Sequence, residues 1–103
     1  MIALVQQNLN AIEALCREYG VLRLELFGSA ARGDFDPERS DIDFIVEYPE
    51  DYEFGPWLKR YFEFKQRLEA LLGYPVDLVM ADAMRKPHFI ASVNQSRQQL
   101  YAA

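Results

Sequence analysis

Hydrophobic residues recur at spacings of three and four over the first twenty positions. Ile2, Val5, Leu9, Ile12, Cys16 and Tyr19 form one stripe, the pattern of an amphipathic helix, and Gly20 stands where its C-cap is expected. From Val21 to Phe27 the period changes to two. Leu22, Leu24 and Leu26 share one face and Arg23 and Glu25 the other, as in a half-buried strand. Gly28-Ser29-Ala30-Ala31-Arg32-Gly33 reads as a tight turn with a short helical piece, and the polar stretch Asp34 to Ser40, with Pro37, as a loop. Asp41 to Tyr48 is a second strand, with Ile42, Phe44 and Val46 facing one way and Pro49 closing it. Pro56 suits the first turn of a helix. Its broad apolar face is carried by Trp57, Leu58, Tyr61, Phe62, Phe64, Lys65, Leu68, Leu71 and Leu72, and Gly73 ends it. Pro75 to Met80 is a third strand, with Val76, Leu78 and Met80 opposite Asp77 and Val79. Pro87 to Ser96 reads as a short helix and Gln99 to Ala102 as a brief edge strand. This order predicts an α+β or α/β sandwich in which helices cover a small mixed sheet.

Length and composition narrow the picture further. The 103 residues suffice for one domain, 1–103, with no linker or repeat, and seven Phe, six Tyr and one Trp give it a real core. Eleven basic against sixteen acidic residues leave a net charge of −5, which argues against holding DNA or RNA through phosphate neutralisation. One Cys and one His exclude an internal disulfide and a four-ligand zinc site. No run of about 18 apolar residues predicts a membrane span, and the first residues lack the basic start of a signal peptide, so a reduced, cytoplasmic location is expected. A chain this short has little room for a large acceptor pocket, so a second chain is expected to supply one.

Three acidic residues break the strand pattern. Asp41 and Asp43 flank Ile42 at the start of the second strand, and Asp77 sits inside the third. Aspartate is depleted in strands. With a side-chain period of two, Asp41 and Asp43 share a face with Cα atoms about 6.5–7 Å apart, and a neighbouring strand would bring Asp77 within about 4.8 Å. Carboxylates this close repel, so either their pKa values rise or a cation sits between them. Hard oxygen ligands select magnesium or manganese. The bland alternative is three solvated, unrelated acids. Just upstream, Gly28-Ser29 follows a hydrophobic strand; glycine permits close approach of backbone to a ligand, and a serine hydroxyl with nearby amides can hold a phosphate oxygen. Together, a phosphate-holding turn and a metal-holding pair suit a metal-bound nucleoside triphosphate.

The run Phe27-Gly28-Ser29-Ala30-Ala31-Arg32-Gly33, eleven residues from Ala30 to Ser40, and then Ser40-Asp41-Ile42-Asp43-Phe44 resembles the signature of the DNA polymerase β-like nucleotidyltransferase superfamily, and especially its minimal nucleotidyltransferase (MNT) branch. The spacing is one residue longer than usual there, an insertion that the loop Asp34 to Ser40 absorbs cheaply. Asp77, in Val76-Asp77-Leu78-Val79, matches the third carboxylate. The resemblance implies a palm-like mixed sheet, two magnesium ions (or manganese), and transfer of a nucleotidyl group to a hydroxyl. It further implies an antitoxin that uses ATP to adenylylate a tyrosine of a partner HEPN-domain toxin. In the roles so implied, Gly28 and Ser29 hold the β- and γ-phosphates, Asp41 and Asp43 bind both metals, and Asp77 binds one metal and helps deprotonate the acceptor.

Arg32 and Arg39 are candidates to touch a phosphate from the joining loop, with solvent exposure the default. His88 is expected to be structural or exposed, and Cys16 a small core residue. Some of Trp57, Tyr61, Phe62 and Phe64 are expected to form an exposed, partner-binding patch. Glu47, Glu50, Asp51 and Glu53 read as a solvated acidic loop. Two other functions compete: a non-catalytic module that neutralises a toxin by occlusion, and a nucleotidyltransferase for a small molecule or RNA.

Overall fold

The computed structural model describes residues 1–103. The amphipathic stripe at the start forms two helices, α1 (Ala3–Gln7) and α2 (Leu9–Tyr19), rather than one. They break at Asn8, whose side-chain amide donates to the Leu4 carbonyl at 2.8 Å and so competes with the helical ladder. Then follow β1 (Arg23–Phe27), α3 (Ser29–Arg32) and β2 (Ile42–Glu47). A 3₁₀ turn at Pro56–Leu58 leads into α4 (Lys59–Leu72), followed by β3 (Val76–Met80), a second 3₁₀ turn at Ala81–Ala83, α5 (Pro87–Ser96) and β4 (Gln98–Ala102).

The sheet order is β3-β2-β1-β4. β1 is antiparallel to both β2 and β4, whereas β2 and β3 are parallel and joined by α4 as a crossover. This is a mixed sheet flanked by helices, as the element order predicts. One face carries Leu24, Leu26, Ile42, Phe44, Val46, Val76 and Leu78, buried against Val5, Ile12 and Cys16 of α1–α2 and Phe64, Leu68 and Leu72 of α4. The other face has only a small core, in which Phe27 and Ile45 meet Val93 of α5. Asp43 and Asp77 belong to this second, sparsely covered face, because they alternate with the buried Ile42, Phe44, Val76 and Leu78. Helix α4 also caps the free edge of β3. Its Tyr61 hydroxyl donates to the Leu78 carbonyl, and Glu69 accepts the Val76 N–H at 2.9 Å.

Three expectations need correction. Leu22 is 41% exposed and Val21 is buried instead, because the chain is still turning out of the left-handed Gly20 and the strand begins only at Arg23. Trp57 (95% exposed), Leu58 and Phe62 do not join the apolar face of α4. Trp57 and Leu58 have positive φ (57° and 55°), so the entry to α4 is swung away from the packing direction that helical spacing assumes. Glu25, expected on a polar face, is buried, with 8% of its surface exposed.

The burial of Glu25 is explained by Arg97, just past α5, whose Nε and Nη2 donate to its two oxygens at 2.9 and 2.8 Å. That bond, more than the nearby Arg23, holds the Glu25 carboxyl below its usual range against the opposing effect of burial. A depressed acid stabilises the fold fully above its ordinary pKa, and that contribution fades as pH falls through the lowered value. Arg97→Met is therefore expected to cost about 2–3 kcal/mol at pH 7, the loss of charged hydrogen bonds from a buried acceptor. The deficit should shrink in acid, where the wild type loses the same contribution; denaturant midpoints at pH 7 and pH 3 measure it.

Candidate active site

Strand register sets the geometry. Phe27 at the end of β1 pairs with Asp43 on β2, and Asp43 pairs in parallel with Asp77 on β3. Three adjacent strands thus place Phe27, Asp43 and Asp77 along one line across the sheet, with Gly28 one residue beyond Phe27. Asp41 stands just before β2, two residues from Asp43 and on the same face by strand alternation. Asp41 and Asp77 are exposed and Asp43 is partly buried, so Asp43 forms the floor of the row and the other two its rim.

Gly28 is required twice over. Its backbone lies at φ 73°, ψ −153°, a conformation open essentially to glycine. A Cβ there would lie 2.4 Å from Asp43 Oδ2. No other residue allows β1 to turn into α3 hard against that carboxylate. The Gly28 carbonyl accepts the N–H groups of Ala31 (3.1 Å) and Arg32 (3.0 Å), which fixes the turn on one side. On the other side, its own N–H donates to Ser96 Oγ of α5 at 2.9 Å. Ala30 and Ala31 are buried, so α3 is anchored in the core, and Ser29 follows directly on the glycine that packs against Asp43.

The carboxylates interact electrostatically. The Asp43 pKa is pushed up to about 6, first by burial, then by the negative charges of Asp77 and Asp41, with Arg32 pulling the other way. Arg32 is exposed and its Nε lies 3.3 Å from Asp34 Oδ1, so its charge reaches the site while its side chain is held only at the surface. As placed, however, no three His, Cys, Asp or Glu side chains are grouped closely enough to hold a metal ion. The donor chemistry fits a hard divalent cation, for the groups are oxygen-only, negatively charged and mutually repelling. The row therefore offers a partial ligand set on an open face, which a triphosphate's own oxygens would complete.

The remaining candidates fall away from this row. Cys16 is buried in the main core, its thiol pushed up to about 12 by burial, as expected of an inert core cysteine. His88 is exposed at the start of α5, and Arg39 is exposed in the loop. Tyr52 donates to the Tyr19 carbonyl and receives Arg60 Nε at 2.8 Å, so its hydroxyl is engaged. The Tyr48 hydroxyl is buried without a partner, and burial drives its pKa up. Glu47 pairs with Arg23 at 2.6 Å, while Glu50, Asp51 and Glu53 are solvated. Sequence reasoning missed Ser96 and Phe89. The ring of Phe89 meets Phe27 edge-on at 6.0 Å, beside the strand pair that carries Asp43. A hydroxyl 68 residues distant leaves no local sequence signal.

No helix is long and apolar enough to cross a membrane. The nucleotidyltransferase domain family matches residues 10–100. The chain is 39% identical over 82 residues to the protein adenylyltransferase MntA of Thermococcus cleftensis, which covers 79% of this chain and 78% of that protein. Among solved structures, a toxin–antitoxin complex with AMP-PNP superposes with a TM-score of 0.71 at 26% identity, covering 93% of this chain and 74% of the other. A tri-AMPylated Shewanella oneidensis HEPN toxin in complex with its MNT antitoxin gives a TM-score of 0.65 at 25% identity, covering 95% and 72%. The chain belongs to the nucleotidyltransferase domain family, and it is a nucleotidyltransferase of the minimal kind.

Proposed function

We propose that this protein transfers the adenylyl group of ATP to a tyrosine hydroxyl of a HEPN-domain toxin, and so acts as that toxin's antitoxin. The observation that carries the reading is the contact of Gly28 with Asp43, in line with Asp77. An alanine-sized group is excluded there, which is the economy expected of a turn that brings backbone and hydroxyl up to a ligand beside a carboxylate row. Similarity to the protein adenylyltransferase MntA and to the toxin–antitoxin complexes supports the acceptor and the partner.

In this reading Gly28 and Ser29 hold the β- and γ-phosphates, and Arg32 lends positive charge to the same anion. Asp41, Asp43 and Asp77 would hold two magnesium ions, which supply Lewis acidity and offset phosphate charge that a −5 protein otherwise repels. The tyrosine oxygen attacks the α-phosphorus, the bond from that phosphorus to the bridging oxygen breaks, and pyrophosphate leaves with the electron pair. Asp77, exposed at the rim, accepts the tyrosine proton. Asp43, held in the floor with a raised pKa, would be kept anionic by a bound divalent cation.

The test is mass spectrometry of the toxin after incubation with this protein, ATP and magnesium. A gain of one or more adenylyl groups on tyrosine supports the reading; neutralised but unmodified toxin refutes it. Neutralisation by binding alone has one observation in its favour, that the carboxylates are not grouped to hold a metal as placed, and it predicts that second outcome.

A further inference from the structure

Glycine populates positive and negative φ about equally, so a glycine held at one positive-φ conformation needs neighbours that select it. At Gly28 the carbonyl side is held by α3, through Ala31 and Arg32. The amide side is held by one atom from the far end of the chain, Ser96 Oγ at 2.9 Å. That atom is itself well located. Ser96 is the last residue of α5, Val93 one turn earlier is buried against Phe27 and Ile45, and the next residue, Arg97, is locked to Glu25 on β1. Once it has accepted the Gly28 N–H, the Ser96 hydroxyl still has its own proton to donate.

We infer that Ser96 is a positioning residue for nucleotide binding: by accepting the Gly28 N–H, it fixes the turn that carries Ser29 past Asp43. This rests on the reading of Gly28 and Ser29 as the phosphate-holding turn. Without the hydroxyl, the amide loses its partner and the turn regains the other conformations open to glycine, so the phosphates meet a site that is no longer preorganised. Helix α5 is thereby part of the nucleotide site, although none of its side chains is one of the aspartates.

The test compares the affinity of a fluorescent, non-hydrolysable ATP analogue with magnesium across the wild type, Ser96→Ala, Ser96→Thr and Asn94→Ala, with unfolding midpoints measured alongside. Asn94 accepts from Arg97 at 2.7 Å at the same helix end but does not touch Gly28, so it reports on a loosened α5 alone. Ser96→Ala is expected to weaken binding about fivefold to tenfold, the worth of one well-placed hydrogen bond. Ser96→Thr, which keeps the hydroxyl, should stay within about twofold of the wild type, and Asn94→Ala should bind as the wild type does. Unchanged affinity in Ser96→Ala, or a threonine variant as weak as the alanine one, overturns the inference. Failure of the wild type to bind the analogue overturns the reading beneath this inference as well, whereas wild-type binding with unchanged affinity in Ser96→Ala overturns the inference alone.

Discussion

Asp43→Asn is expected to cut nucleotidyl transfer about a thousandfold while making the protein without metal or nucleotide more stable at neutral pH. The two effects share one cause. Burial, Asp77 and Asp41 raise the Asp43 pKa from its ordinary 3.8 to about 6, so the folded protein binds this proton more tightly than the unfolded chain does. Stability therefore falls as pH rises between those two values, and the cost persists at higher pH. Asparagine removes it. The gain at pH 7 should be about 1 kcal/mol, discounted for a carboxyl that still reaches solvent, and should vanish below about pH 4. Denaturant midpoints at pH 7 and pH 3.5 without divalent cations measure it. Transfer should fall about a thousandfold, or about 4 kcal/mol of barrier, because Asp43 is one of the two carboxylates proposed to hold both cations. Saturating magnesium and an ATP analogue should raise the melting temperature of the wild type but scarcely that of the variant. A side chain whose loss stabilises the fold and removes the activity is kept for its chemistry.

Gly28→Ala should have the second large effect. The added methyl would lie 2.4 Å from Asp43 Oδ2, at a φ that alanine rarely adopts, so either the turn or the carboxylate must move. Strain of this kind costs about 1–3 kcal/mol, and transfer should drop at least about a hundredfold because the displaced groups are those proposed to hold the phosphates and cations. Gly33→Ala is the matched control. Gly33 also has a positive φ (100°), but a Cβ there meets nothing within 4 Å. It should lose about 1 kcal/mol of stability through backbone strain and keep its transfer rate. Equal losses of transfer in the two variants would mean that the Gly28–Asp43 contact has no special role.

Much of this arrangement was legible in the sequence because it rests on short-range periodicity. Alternation placed Ile42, Phe44 and Val46 inward and left Asp41 and Asp43 on the opposite face, and the same rule put Asp77 across from Val76 and Leu78. The pairing of Asp43 with Asp77 then needed only that β2 and β3 be neighbours, as a strand–helix–strand crossover usually makes them. Elsewhere, what was hidden depended on distant contacts or on backbone detail. Glu25 alternates as a surface residue should, but Arg97 from the far end of the chain makes a buried position tolerable. Leu22 and Trp57 belong to hydrophobic patterns that the chain abandons at its turns, after Gly20 in one case and at a left-handed entry to α4 in the other. Asn8 interrupts the first helix through its own side chain, an event that the apolar stripe cannot register. Ser96 is a polar residue at the end of a helix until the fold brings it to Gly28.

Asp77→Asn offers the most direct trial of the chemistry, since an exposed rim residue can be changed with little disturbance to packing. In single-turnover reactions with ATP labelled at the α-phosphate, wild-type protein should pass label to the toxin's tyrosine, while ATP labelled at the γ-phosphate passes none. The Asp77→Asn protein, still folded, should leave the toxin unlabelled at every pH from 6 to 9. Label arriving from that variant at the wild-type rate would contradict the aspartate row as the seat of the reaction.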